Sequence, residues 1–574
     1  MTTFDLNSGA VAPVADEVDL HDLRVTGRIP CGLDGTLLRN GPNPLSGRFA
    51  GNDVLSWWPE SAMLHAVSFE AGRATGYCNR WARTRRWADV FAPERAVSLP
   101  DTNPNVNVLR HAGELLALAE GGMPLAIDGD LGTFNVPTRH AGLAGGMTAH
   151  PKVDPRTGEL MSFRAHWQAP WLRYGVHDAQ GRQTVDVEID VPAPSMMHDM
   201  AITATHSILL DLNVGYDFSM LSRGHRMPLR WHDERRARLG VIPRHGGVVR
   251  WFDIAPCFIQ HVVNAYDGDD ATIVLDAVRY PWFLRVGRQP GAFEDNPVGV
   301  LWRYVIDLDG GTVAETQIGD AGIEMPRINE DRTGDAYRFF YAAEQPTNAE
   351  LRGIVRYDLE QGALARYDVP EGDQNSEPVF VSRAGSSAED DGWVLAWVYR
   401  RATDTSDLVI LDARCIERGP VATVHLPRRV PAGFHGGWVP GRRWPANRPR
   451  GSRPSHPQPI QPERLVVGEA LRELTRREPG DALGRAAQMR LIGESFVERE
   501  RCPVVGPPRF VALPRREEQA FGSDERLPLA QRSSAVGLDA ALDLTRTLRA
   551  PPFARLPREA SDPVPACVAQ RRQA

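Results

Sequence analysis

Four histidines stand in settings that suit chemistry. His150 ends "GGMTAH", His198 lies in "SMMHDM", His261 in "CFIQHVVN" and His435 in "VPAGFHGGWVP". His435 has glycines beside it and prolines at both ends of its segment. Proline fixes φ and glycine admits close neighbours, so its surroundings are stiff and crowded. That is what a ligand held at one angle needs, and it is also what a plain tight turn needs. No two of the four have the local spacing of a helical metal motif such as HExxH, so a shared site would have to be assembled from distant parts of the chain. A single histidine on a strand is most often only packed or exposed, and His206, His225, His232, His245 and His456 are read that way.

Three glutamates lie in apolar or proline-bounded text: Glu120 in "LLALAEGG", Glu324 in "GIEMPRIN" and Glu377 in "SEPVFV". A buried carboxylate must be paired, because desolvating a lone charge is costly. One partner would be the Nδ1–H of a metal-bound imidazole, which fixes the ring's tautomer and direction. The other reading is an exposed strand end or an arginine partner, and Arg327 stands close to Glu324.

The elements that would position these residues are strands. From about residue 30 to 440 the chain reads as short β-branched and aromatic runs bounded by Gly, Asp, Asn or Pro, such as "SILLDL", "ATIVLDAVRY", "AYRFFYAAE" and "GWVLAWVYR". "RYVIDLDGGTVAETQI" and "VRYDLEQGALARYDV" read as hairpins turning at Asp309-Gly310-Gly311 and Gln361-Gly362. This is an all-β pattern, too long for one simple sandwich, and radial repetition of four-stranded blades accommodates it with few exposed edges. No crisp repeat motif marks the blades. The division expected is an N-terminal extension over 1–29, a propeller over 30–445, and a Pro/Arg-rich, poorly ordered tail with two or three marginal helices over 446–574.

Composition narrows the class. The 574 residues are 42% hydrophobic and 24% charged, with a net charge of −7 and a pI near 6.2, so there is no nucleic-acid footprint. Lys152 is the sole lysine among 66 cationic residues. Six cysteines are scattered without a CxxC pair, which fits a reducing cytoplasm rather than a zinc ribbon or disulfide scaffold. Neither a signal peptide nor an apolar span of about 18 residues is visible. A peripheral membrane contact is compatible with this.

Taken in order, "IPCGLDGTLLRNGPNP", "HAGELLALAEGG", "TAHPKVDPRTGEL", "HDMAITATHSILLDL", "LGVIPRHG", "HVVNAYD", "EMPRIN", "SEPVFV" and "RVPAGFHGGWVP" resemble the carotenoid cleavage oxygenase family, which includes apocarotenoid oxygenases and lignostilbene dioxygenases. The resemblance covers about residues 15 to 445. It implies a seven-bladed β-propeller with a loop and helix dome over the metal face. It further implies Fe(2+) held by His150, His198, His261 and His435, with Glu120, Glu324 and Glu377 orienting three of the rings. Four neutral imidazoles leave the ion's charge intact, unlike a two-His-one-carboxylate triad. No nicotinamide fingerprint follows a strand. No catalytic acid or base is assigned beyond the metal centre.

Three departures bear on substrate. Lignostilbene-type members bind a phenol oxygen through a tyrosine and a lysine; this chain has Trp81 and Ala119 at the matching positions. A threonine beside the open metal position aligns with Val106. A site without those polar groups loses its grip on a hydroxyl, and Trp81 offers an apolar face. The expected activity is therefore an iron-dependent dioxygenase that cleaves a C=C bond of a carotenoid or apocarotenoid with O2 into two carbonyl products. The alternatives are a stilbene-cleaving enzyme of the same fold, a redox-neutral isomerase, or a non-catalytic binding propeller.

Overall fold

The structure, a computed structural model, describes residues 8–441 apart from 44–57, 59, 99–100, 128–130, 132–135, 139, 141, 226, 289–291 and 349. The tail expected over 446–574, with its marginal helices, lies outside the described residues.

Strand runs in the sequence become blades of a seven-bladed β-propeller. Its seven antiparallel sheets follow one another along the chain, and a two-stranded ribbon, Val214–Tyr216 with Leu229–Trp231, is added to the fourth. The innermost strands contact one another in ring order, from Lys152–Val153 through Met200–Ile202, Phe258–Asp267, Ile323–Ile328, Val379–Ser382 and Gly436–Pro440 to Asn107–His111. Both hairpins expected from the sequence form: Asp307 pairs with Thr312, and Asp358 with Ala363.

Blade position explains each strand's composition. Gly392–Arg400 and Ala62–Glu70 are buried on both faces between neighbouring strands and blades, so they read as continuous apolar runs. The outer strands Gln183–Glu188 and Thr312–Gln317 expose every other side chain and carry charges, which blunts sheet edges against aggregation. The core therefore lies between blades. Tyr77 and Val67 of the first blade pack on Trp393, Trp397 and Leu408 of the last. Phe258, Leu275, Tyr304 and Phe340 join the fifth and sixth. Burying each such side chain contributes about 1.5–3 kcal/mol.

Ring closure corrects the expected N-terminal boundary. Arg24–Gly27 pairs with Pro420–His425, and Asp19–Leu20 pairs with Arg73–Trp81, so part of the segment set apart as an extension belongs to two blades. Strands of two and four residues carry too little alternation to be read from sequence. Gly35–Pro42 then pairs with Gly436–Pro440, tying the start of the first blade to the last strand.

Irregular segments interrupt this pattern between blades and within the fourth. The helix Arg85–Phe91, capped by the Thr84 side chain, lies in the connection from the first blade to the second. The helix Ser219–Ser222 lies between the two ribbon strands. No helix among the described residues is long and apolar enough to cross a membrane.

Candidate metal centre

Each of the four histidines belongs to an innermost strand or its entry. His150 precedes Lys152–Val153, His198 precedes Met200–Ile202, and His435 precedes Gly436–Pro440. His261 lies within Phe258–Asp267, where the pairing register shifts on both sides of Val262. Bulges re-aim side chains in this way. Glu324 sits at another register shift, next to Met325 at φ 52. Gly436 answers why glycine follows His435: a Cβ there would lie 2.2 Å from the Leu38 carbonyl oxygen. Only glycine lets the last strand come this close to Gly35–Pro42 and carry His435 inward.

The four rings converge. One nitrogen from each of His150, His198, His261 and His435 lies within 4.8 Å of all the others, and all four residues are buried. Ring centroids are 4.5 Å apart for His150–His198 and His150–His435, 4.8 Å for His261–His435, and 5.2 Å for His198–His261. Donors about 2.1 Å from one ion stand roughly 3 to 4 Å from each other, so the spacing suits a single ion. Among the described residues, the Nε2 atoms of His150 and His261 are buried without a hydrogen-bond partner, an expensive state for a polar atom unless something accepts its lone pair. A donor set made only of imidazole favours a transition metal over magnesium or calcium, which prefer oxygen. These residues fit a metal ion.

The three glutamates face three of the rings from outside. Glu377 Oε1 accepts from His435 Nδ1 at 2.9 Å, and Oε2 accepts from the Gly436 N–H at 2.9 Å. Glu324 Oε2 bonds His261 Nδ1, and its Oε1 accepts the Tyr280 hydroxyl at 2.6 Å. Glu120 Oε2 stands 3.0 Å from His198 Nδ1, off the axis of a hydrogen bond. Glu120 is also the most exposed of the three, with its side chain 39% accessible. His150 has no glutamate against it among the described residues; its backbone N–H donates to Thr148 Oγ1.

Charge follows from these contacts. Burial, then the three neighbouring imidazoles, hold His150 well below the usual histidine range, so it is neutral and ready to donate a lone pair. Burial also lowers His435, outweighing the pull of Glu377. At His261 burial is outweighed by Glu324, which raises it. Burial alone would raise Glu377, but the Arg327 guanidinium and then His435 bring it to about 2.

Arg327 corrects one sequence-level alternative. It does not pair with the adjacent Glu324; its Nη1 lies 3.0 Å from Glu377 Oε2 and donates to the Gly436 carbonyl at 2.9 Å. A register shift separates Glu324 from Arg327, so their side chains have different surroundings. Two residues near the ligands were not singled out for the site at all. Asp199 and Lys152 form a 2.7 Å ion pair between the His198 and His150 segments. The signals available in the sequence were an acid directly after one of the histidines and the chain's one lysine two positions after another.

Of the three pocket residues expected, Val106 touches His435, its carbonyl accepting from the His435 N–H at 3.0 Å. Ala119 is buried immediately before Glu120. Trp81 packs with Met63, Trp87, Ala88 and Ala96, its ring 5.8 Å from that of Phe91. His206, His232 and His425 lie outside the cluster, beside Asp267, Glu234 and Asp407.

Comparison with known proteins adds to this geometry. A family model described as retinal pigment epithelial membrane protein matches residues 11–440. A carotenoid cleavage oxygenase of Mycobacterium tuberculosis (strain ATCC 25618 / H37Rv) is 35% identical over 494 residues, covering 75% of this chain and 97% of the relative. A carotenoid 9,10(9',10')-cleavage dioxygenase 1 of Arabidopsis thaliana is 31% identical over 480 residues, covering 75% and 88%. The solved structure of a cobalt-substituted apocarotenoid oxygenase of Synechocystis superposes with a TM-score of 0.66 at 27% identity, covering 75% of this chain and 97% of that one.

Proposed function

Because the chain belongs to the retinal pigment epithelial membrane protein family of carotenoid cleavage oxygenases, we propose that it cleaves a C=C bond of an apolar conjugated substrate with O2. The ion proposed is iron(II), and the residues that hold it are His150, His198, His261 and His435. One observation carries this reading: four buried imidazoles from distant strands present one nitrogen each to a common point. Iron(II) bound there would supply the activation of O2 that oxidative alkene cleavage requires.

The protein's own groups have positional work. Glu324 and Glu377 accept from Nδ1 of His261 and His435 and so turn each Nε2 inward. Glu120 supports His198 in the same sense from a looser position. Burial of the cluster keeps bulk water from the reacting atoms. No side chain need move a proton: an alkene and O2 contain all the atoms of two carbonyl products.

An apocarotenoid fits better than a hydroxystilbene. Neither Ala119 nor Val106 offers a side-chain group to a phenol oxygen, and Trp81 lies in an apolar cluster. The test is to assay iron-loaded protein against a panel of apocarotenals and hydroxystilbenes under labelled O2, with mass analysis of the aldehydes. Labelled aldehydes from a polyene are expected. Full turnover by metal-free protein, or unlabelled products, would sink the proposal.

A further inference from the structure

Asp199 is 1% exposed and directly follows His198. Its carboxylate has three donors from three strands. Oδ1 accepts from Lys152 Nζ at 2.7 Å and from the Met200 N–H at 2.7 Å. Oδ2 accepts from the Val262 N–H at 2.8 Å. Lys152 lies two residues after His150, and Val262 directly follows His261. One carboxylate therefore joins the segments that carry three of the four histidines, one through a side chain and two through backbone N–H groups. Each of the three glutamates, by contrast, faces a single ring. A second link runs parallel to the first, the Thr148 hydroxyl donating to the His198 carbonyl at 3.1 Å.

We infer that Asp199, neutralised by Lys152, is the positioning residue that sets His150, His198 and His261 in register with one another. The inference rests on the metal reading above and concerns how that site is held. A coordination site tolerates errors of only about 0.5 Å in its donors, and inner strands of separate blades have no ladder of their own to enforce this. A shared buried acceptor does so, because releasing any one donor leaves a buried charge with one hydrogen bond fewer. Lys152, the chain's one lysine, supplies a single ammonium to this carboxylate from the strand entered by His150.

The test uses the full chain stripped of metal and titrated with cobalt(II), read by visible absorption and by affinity. Asp199→Asn and Lys152→Met are compared with Asp358→Asn, which removes another acid of low exposure, paired with Arg338 on an outer part of the sixth blade. Ten- to a hundred-fold weaker cobalt binding is expected for the first two, with a shifted absorption band. Asp358→Asn should keep both affinity and band, whatever it does to thermal stability. Wild-type affinity and spectrum in Asp199→Asn and Lys152→Met would overturn the inference while leaving the metal centre intact. If Asp199→Asn does not fold, Lys152→Met decides, since it retains both backbone bonds to Asp199. A wild-type chain that takes up no cobalt would overturn the metal centre and this inference together.

Discussion

Glu377 holds His435 with one carboxylate oxygen, at 2.9 Å from Nδ1, while its other oxygen stands 3.0 Å from the Arg327 guanidinium. His435 is thus fixed through a buried charge whose counter-charge comes from a different blade. Glu377→Gln keeps the shape and removes the charge. It is expected to weaken metal binding by about 10- to 100-fold, measured by competition with a chelator of known affinity. Arg327→Ala should cost about 2 kcal/mol in urea unfolding, less than the value for a fully buried pair because Arg327 keeps some exposure.

His198 and His206 lie on neighbouring parts of one blade but have different surroundings. His198→Ala is expected to abolish both metal retention and alkene cleavage. His206→Ala, which removes a surface partner of Asp267, should change neither. Metal analysis after gel filtration, beside the cleavage assay, distinguishes them.

Gly436 has room for no side chain, since a Cβ there meets a backbone oxygen at 2.2 Å. Gly436→Ala must push apart the pairing that closes the ring. A loss of about 3 kcal/mol is expected, together with displacement of His435, so stability and metal content should fall in parallel. A variant that loses neither would show that the closure is more pliant than its geometry implies.

Acid sensitivity has an identifiable contributor in Asp154. Burial alone would raise this carboxyl, but hydrogen bonds from Arg156 and Arg244 outweigh it and hold it at about 2. Its folded value lies below its unfolded one, so its stabilising effect is complete above about pH 4 and disappears as pH falls towards 2. Asp154→Asn should flatten that part of the stability profile, read by denaturant unfolding between pH 5 and 2.

All seven proposed site residues and both pairings that close the ring lie between Arg24 and Pro440. A chain ended after Gly441 is therefore expected to retain metal binding and thermal stability. Equal melting curves for the two chains, with and without metal, would be the check.

Legibility from sequence followed the range of the interaction. Strands such as Gly392–Arg400 and the turn at Asp309-Gly310-Gly311 are set by neighbouring residues, and both were readable. The pairs Asp19–Leu20 and Arg24–Gly27 acquire strand character only from partners elsewhere in the chain, and the boundary drawn at residue 29 missed them. The histidines were conspicuous, yet spacing alone left them between turn residues and ligands; nine family-like phrases in order made the difference. Arg327 shows the limit, because it pairs with Glu330 and the distant Glu377 while Glu324, equally near in sequence, faces His261.

By itself, then, the chain's text determined an all-β architecture and the set of residues able to bind a metal, since both depend on residue type and local order. Tertiary structure alone decided that the four imidazoles meet, which carboxylate faces which ring, and that Asp199 links three histidine-bearing segments. Those relations arise from the closing of a ring of blades. Closure brings together groups hundreds of residues apart, and no local preference of the backbone encodes the distances between them.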